Sequence, residues 1–151
     1  MIYKIIYFVL LCTGYFIFAR TEGIREGFSY FYKVVANIIK DNGEHALFTI
    51  DRVFGFGTPF VIASVVALGW KIAIIYCIGI ACTFPFLHDN YYYAERHRLD
   101  STIYTKGLNN QSTTSTAISD KKEFFTPIKR DIFFMVGIIF IIFTFILIIV
   151  K

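Results

Sequence analysis

Charged residues are scarce in this 151-residue chain. Only 17% of its residues are charged, whereas 56% are hydrophobic, and its mean hydropathy is +0.61. A water-soluble core needs more polar surface than this to cover it. The polar residues that remain form only two segments of any length, and neither is large enough for a soluble domain of ordinary size.

Motifs for catalysis and metal binding are also missing. No glycine-rich phosphate loop, CxxC pair or nucleophile elbow occurs in the sequence. The three cysteines lie in apolar stretches, where a thiol behaves as a small hydrophobe. We therefore predict no catalytic residue, no cofactor and no metal, and the sequence favours a non-enzymatic protein. Nucleic acid is not an expected partner, because basic residues alternate with acidic ones.

What the chain does have is long apolar blocks, at residues 2–19, 53–87 and 132–150. A helix needs about 20 apolar residues to cross the hydrocarbon core of a bilayer. The first and last blocks meet this requirement, and the middle block is long enough for one tilted span or two short ones. The pattern predicts an all-α integral membrane protein, a single membrane domain with three to four transmembrane helices.

The tripeptide Gly69-Trp70-Lys71 in the middle block favours four spans. In one continuous helix Lys71 would lie near the bilayer centre, at a cost of about 2.5 to 3.5 kcal/mol. In a helical hairpin the tripeptide would instead place a helix breaker, an interfacial ring and a snorkelling cation at the membrane surface. We prefer this central hairpin, with spans at about residues 2–19, 53–70, 72–87 and 132–150. Lys71 is also a candidate for a lumen or an interface.

The distribution of basic residues supports the hairpin and gives an orientation. With four spans, twelve Lys and Arg residues fall on one side of the membrane and three on the other, whereas three spans divide them six against eight, with Lys71 inside the membrane. Basic residues accumulate on the cytoplasmic side. The four-span arrangement therefore predicts that both long polar segments are cytoplasmic, namely residues 20–52 and a polar loop at about residues 88–131. The expected location is an inner or plasma membrane, or an organellar inner membrane.

Helical spacing is visible in two further sets of residues. Apolar side chains recur along one face over residues 28–40, which predicts a short amphipathic helix in the membrane interface. Small residues recur every four positions in both arms of the hairpin, a pattern that lets helices approach closely. The predicted packing residues are Ala63, Ala67, Ala73, Cys77 and Ala81.

The second polar segment begins with clustered tyrosine, histidine and arginine, directly after the third span. If this stretch is helical, several of these side chains share one face, and they form a candidate site for a phosphate-bearing lipid head group. The alternative is an anchor, in which the same side chains only fix the depth of the helix. The candidate residues are His88, Asp89, Tyr92, Arg96, His97 and Arg98. A hydroxyl-rich run at residues 112–116 is predicted to be a loop.

Three functions are compatible with these predictions. The leading one is an accessory or structural subunit of a membrane assembly, because a chain with one modest bundle and no soluble domain needs partners to act. The first alternative is a homo-oligomeric pore or holin-like channel with Lys71 facing its lumen. The second alternative is a membrane-bound enzyme or binder that acts on lipid phosphates through residues 88–98. Expected partners are membrane lipids and either further copies of the chain or other membrane subunits.

Overall fold

The computed structural model describes residues 2–29, 50–99, 101 and 127–150. These residues are almost entirely helical, and no strand occurs among them. A π-helical segment, Asp51–Gly57, leads directly into the second α-helix. The α-helices are α1 (Ile2–Ser29), α2 (Thr58–Leu68), α3 (Trp70–Leu99) and α4 (Pro127–Val150).

Four helices are long and apolar enough to cross a membrane: α1, the continuous helix Asp51–Leu68, α3 and α4. The predicted all-α class and the preferred number of four apolar helices agree with this result. Two prolines lie within helical segments, and Pro59 is the second residue of α2, directly after the π-helical segment. Pro85 lies inside α3 without ending it.

The break between α2 and α3 occurs at a single residue, Gly69. Its φ of 82° and ψ of 148° lie in a region that is open to glycine and strained for other residues. Helical hydrogen bonds continue on both sides of it, from Gly69 N–H to Val65 O and from Ala73 N–H to Gly69 O, each 2.9 Å long. The helix break predicted at the Gly69-Trp70-Lys71 tripeptide is therefore present.

Contacts along the bundle show that successive helices alternate in direction. The rings of Phe60 in α2 and Tyr76 in α3 lie 5.9 Å apart, and Arg52 lies over the Phe84 ring, so these helices are antiparallel. Rings of Phe86 in α3 and Phe134 in α4 stack at 4.3 Å, in a second antiparallel pair. This alternation is what four consecutive membrane crossings require.

Parallel packing joins α1 to α3 through the middle of the bundle. Phe8 packs on Tyr76 with ring centroids 5.4 Å apart, and the Tyr15 hydroxyl lies 2.9 Å from the Thr83 hydroxyl. The buried apolar cluster around these contacts consists of Phe8, Tyr15, Ala19, Leu68, Ile72, Tyr76, Ile80 and Ile148.

Glycines mark the closest approaches between helices. A Cβ placed on Gly137 of α4 would lie 2.6 Å from Gly79 O and 3.0 Å from Thr83 N of α3. A Cβ on Gly27 of α1 would lie 2.8 Å from Tyr92 O of α3.

Among the predicted packing residues, Ala73 is buried, Ala67 and Cys77 are half-buried, and Ala63 and Ala81 are exposed.

The helices extend well past the predicted spans. Helix α1 continues beyond residue 19 to Ser29, and α3 continues beyond residue 87 to Leu99, into the segment that we expected to be a polar loop. The reason is that polar side chains on both extensions pack against one another.

Of the predicted amphipathic helix at residues 28–40, only residues 28 and 29 are described, as the end of α1. Its remainder and residues 102–126, including the run at 112–116, lie outside the described residues.

Candidate functional site

A layer of charged side chains lies at one end of the bundle. Glu22 is 20 residues from the start of α1, His88 is 18 residues from the start of α3, and Arg130 is 20 residues from the end of α4. At 1.5 Å per residue these positions lie roughly 27 to 30 Å from the opposite ends of their helices. That distance matches the hydrocarbon thickness of a bilayer, about 30 Å.

Two glutamates of α1 contact an arginine that precedes α2. Arg52 Nε donates to Glu22 Oε1 at 3.2 Å, and Arg52 Nη2 donates to Glu26 Oε2. Arg25 Nη2 also donates to Glu22 Oε1, at 2.9 Å, and its guanidinium reaches Asp51 at 3.3 Å. The two glutamates are only 5% and 3% exposed, so their charges depend on these guanidinium partners.

His88 and its neighbour Asp89 connect α1 and the π-helical segment to α4. His88 Nε2 lies 2.8 Å from Glu26 Oε2, and His88 Nδ1 lies 2.7 Å from Asp89 Oδ1. The other carboxylate oxygen of Asp89 lies 2.9 Å from Arg130 Nη1. The described contacts therefore connect α1, the π-helical segment, α3 and α4 through one chain of ionisable groups, which we call the ionic network: Glu22, Glu26, Arg52, His88, Asp89 and Arg130.

The geometry around His88 favours its protonated form. A carboxylate can only accept hydrogen bonds, so an imidazole with a carboxylate at each nitrogen donates from both. Arg52 Nη2 also lies 2.8 Å from His88 Nε2, and both nitrogens contact Glu26 Oε2. With His88 protonated, three carboxylates oppose three cations, and the ionic network is electrically neutral. Neutrality is the condition under which burial of charge is least costly.

Glycines of α1 allow the ionic network to form. Glu22-Gly23 and Glu26-Gly27 repeat at a spacing of four residues, which places both glutamates, and both glycines, on adjacent strips of one helix. A Cβ on Gly23 would overlap His88 O and lie 3.1 Å from Tyr92 N. The missing side chains let α1 approach α3 closely enough for Glu26 to reach His88.

A second set of polar contacts continues along α3 beyond the network. Arg96 is fully buried; its Nη1 donates to the Tyr92 hydroxyl at 3.0 Å, and its guanidinium lies over the Tyr92 ring. Arg98 donates to both carboxylate oxygens of Glu95, at 2.8 and 2.6 Å. These hydrogen bonds lower the pKa of Glu95 from its ordinary value.

The structure places the predicted head-group residues in separate environments. His88 and Asp89 belong to the ionic network, and Tyr92 and Arg96 contact each other in the interior. His97 is half-buried, and the Arg98 side chain is 65% exposed. Head-group binding by this set stays a prediction.

Lys71 lies at the opposite end of the bundle, exposed and 5.4 Å from the centre of the Trp70 ring. Its role in a lumen or interface also stays a prediction.

Sequence analysis missed four members of the network: Glu22, Glu26, Arg52 and Arg130. The signal that could have revealed two of them is the repeated Glu-Gly pair directly after the first apolar block. No comparable local pattern marks Arg52 or Arg130. Among the described residues, no group of three or more His, Cys, Asp or Glu side chains is arranged to hold a metal ion.

Comparison with protein-family models, with curated proteins and with solved structures finds no significant match to this chain. Its class therefore follows from its own architecture: a helical protein with four helices long and apolar enough to cross a membrane, joined at one end by buried ionic contacts.

Proposed function

We propose that this chain is a small multi-pass membrane protein that serves as an accessory or structural subunit of a membrane assembly. The observation that supports this proposal is the arrangement of its charged groups. The ionic network is directed inward, and its carboxylates and cations contact one another. An arrangement of this kind stabilises a scaffold, whereas an enzyme site presents its reactive groups to a substrate.

Two features of the helical bundle suit a scaffold. The bundle is held rigid at one end, and its outer surface is apolar. Breaking a buried ion pair by removing one partner is strongly unfavourable, so the network fixes the relative positions of the helices it joins. The outward side chains of α4 are apolar, including Ile139, which is 63% exposed, and Met135, which is 60% exposed. In a membrane such a surface packs against lipid or against helices of another subunit.

The alternation of the helices and the distribution of basic residues support the proposed orientation. The antiparallel packing of neighbouring helices supports an arrangement with the network end of every helix on one side of the membrane. Twelve of the fifteen Lys and Arg residues fall on that side, which supports a cytoplasmic location for both long polar segments.

The proposal is tested by purifying the protein from its native membrane in a mild detergent. We expect co-purification of other membrane proteins, or of further copies of the chain, in fixed stoichiometry. Arg130→Leu, which removes one network partner, is expected to reduce this association, whereas the neighbouring exposed variant Lys129→Leu is expected to retain it. A wild-type chain that purifies alone as a monomer would contradict an assembly role.

The pore alternative is distinguished by reconstitution in liposomes. An ion conductance that is present in wild type and lost in Lys71→Ala would favour the channel. Conductance that is absent, together with stoichiometric partners, would favour the structural subunit.

A further inference from the structure

A cleft of about 630 Å³ lies between α1, the helix Asp51–Leu68 and α3. Its walls are almost entirely apolar, and two residues of α2 at its edge, Val61 and Ile62, are 46% and 59% exposed. The cleft therefore opens outward, toward the region that lipid occupies in a membrane. The apolar walls include Phe18, Phe56, Phe60, Ile80, Ala81 and Phe84.

The length of the cleft corresponds to one leaflet of a bilayer. It extends from Arg52 to Ile62, ten residues of helix or roughly 15 Å. The hydrocarbon core is about 30 Å thick, so the cleft runs from the boundary to about the midplane. An extended hydrocarbon chain suits an open groove of this length with apolar walls.

The guanidinium of Arg52 lies at the end of the cleft that would be nearest the membrane boundary. Its Nε and Nη2 atoms point inward to Glu22 and Glu26, and its side chain is 23% exposed. Within the described part of the chain, Nη1 donates no hydrogen bond. Arg52 thus presents unused N–H donors at the level where lipid phosphates lie.

The π-helical turn shapes this end of the cleft. Thr58 N–H donates to Val53 O, five residues earlier, which is the hydrogen-bond pattern of a π-helix. Gly57 lines the cleft, and a Cβ there would lie 3.1 Å from Arg52 O. The wide turn and the missing side chain leave room beside Arg52 that a regular helix with a larger residue would fill. Single π-helical turns of this kind occur frequently at functional sites.

We propose that the cleft binds one acyl chain of a glycerophospholipid whose phosphate accepts hydrogen bonds from Arg52. The apolar walls match the hydrocarbon chain, the length matches one leaflet, and the unused Nη1 donor of Arg52 matches the phosphate oxygens in hydrogen bonding. This site differs from the predicted head-group site at residues 88–98, since its α3 residues precede residue 88 and its cation belongs to the π-helical segment, although Arg52 also contacts His88.

The test is native mass spectrometry of the purified chain with two lipids added in equal amounts. The lipids are phosphatidylglycerol and diacylglycerol with identical acyl chains, so that only the phosphate-bearing head group differs between them. We expect one retained phosphatidylglycerol per chain, preferred at least roughly tenfold, the effect of one charge-assisted hydrogen bond. Arg52→Gln is expected to abolish this preference.

Filling the cleft gives a test that leaves the ionic network intact. Ala81 lies in the cleft wall and is exposed, so Ala81→Phe is expected to fold and to lose the retained lipid. Ala63→Phe introduces the same side chain at an exposed position of α2 outside the cleft, and it is expected to retain the lipid.

Three results would overturn the proposal. They are a wild-type chain that retains no lipid, equal retention in wild type and Ala81→Phe, and equal binding of the two lipids to wild type. A wild-type mass corresponding to a lipid-free dimer would assign the cleft to a second copy of the chain instead.

Discussion

Two alanine substitutions in α1 should have opposite effects on stability, although they are chemically identical. Gly23 faces α3, and an added Cβ would overlap His88 O and lie 3.1 Å from Tyr91 Cβ. Gly14 is in the same helix, and an added Cβ there would have no neighbour within 4 Å. Gly14→Ala therefore serves as the matched control for Gly23→Ala.

The expected magnitudes follow from two opposing contributions. Alanine is favoured over glycine inside a helix by about 1 kcal/mol, and Gly14→Ala should gain about that amount. Gly23→Ala gains the same contribution but forces α1 away from backbone atoms of α3, and overpacking of this kind costs about 1 to 3 kcal/mol. The separation also lengthens the 2.8 Å contact between Glu26 and His88, whose loss adds a further cost of the order of 1 kcal/mol. We expect a net loss of about 1 to 3 kcal/mol.

The assay is unfolding of the purified variants in mixed micelles with increasing sodium dodecyl sulfate, followed by far-ultraviolet circular dichroism. The free energy of unfolding should rise for Gly14→Ala and fall for Gly23→Ala, relative to wild type. Equal shifts of the two variants, or stabilisation by Gly23→Ala, would refute the close approach of α1 and α3 at the ionic network.

Three further predictions concern other parts of the bundle. Arg130→Leu should reduce the free energy of unfolding by about 1 to 3 kcal/mol, because Asp89 loses its 2.9 Å contact with Arg130 and keeps its contact with His88; adding Asp89→Leu should restore part of the loss, and simple additivity of the two changes would argue against direct coupling. Gly69→Ala should cost about 1 to 3 kcal/mol in the same assay, since φ is 82° there, and an unchanged stability would contradict this turn geometry. In a background without native cysteines, thiol probes at Lys71→Cys and Ser112→Cys should react with an impermeant reagent from opposite sides of oriented vesicles, and reaction from one side would rule out the four-span topology.

Sequence could predict the helical architecture because its determinants are local. An apolar run of sufficient length specifies a membrane-crossing helix, and Gly69 beside Trp70 and Lys71 specifies where the hairpin turns. Each of these signals lies within one segment. Because the signals are local, the predicted number of apolar helices and the predicted position of the helix break agree with the structure.

The ionic network could not be predicted in the same way, because its partners are distant in the chain. Arg52 contacts Glu22 across 30 residues, and His88 contacts Glu26 across 62. Considered singly, a charged residue near the end of an apolar block resembles an interfacial anchor. Only the close approach of α1 and α3 at Gly23 and Gly27 shows that these charges meet. The end of α3 was missed for the same reason, since its polar residues resemble a loop until their partners on α1 are known.

The order of the network partners along the chain links the network to the path of the hairpin. Glu22 and Glu26 precede the hairpin, and their partners Arg52 and His88 lie toward its two free ends. Both partners can reach the glutamates only if both ends of the hairpin lie beside the end of α1. A hairpin with its turn at that end would hold Arg52 and His88 a helix length away, so the contacts in the network require one direction of the hairpin relative to α1.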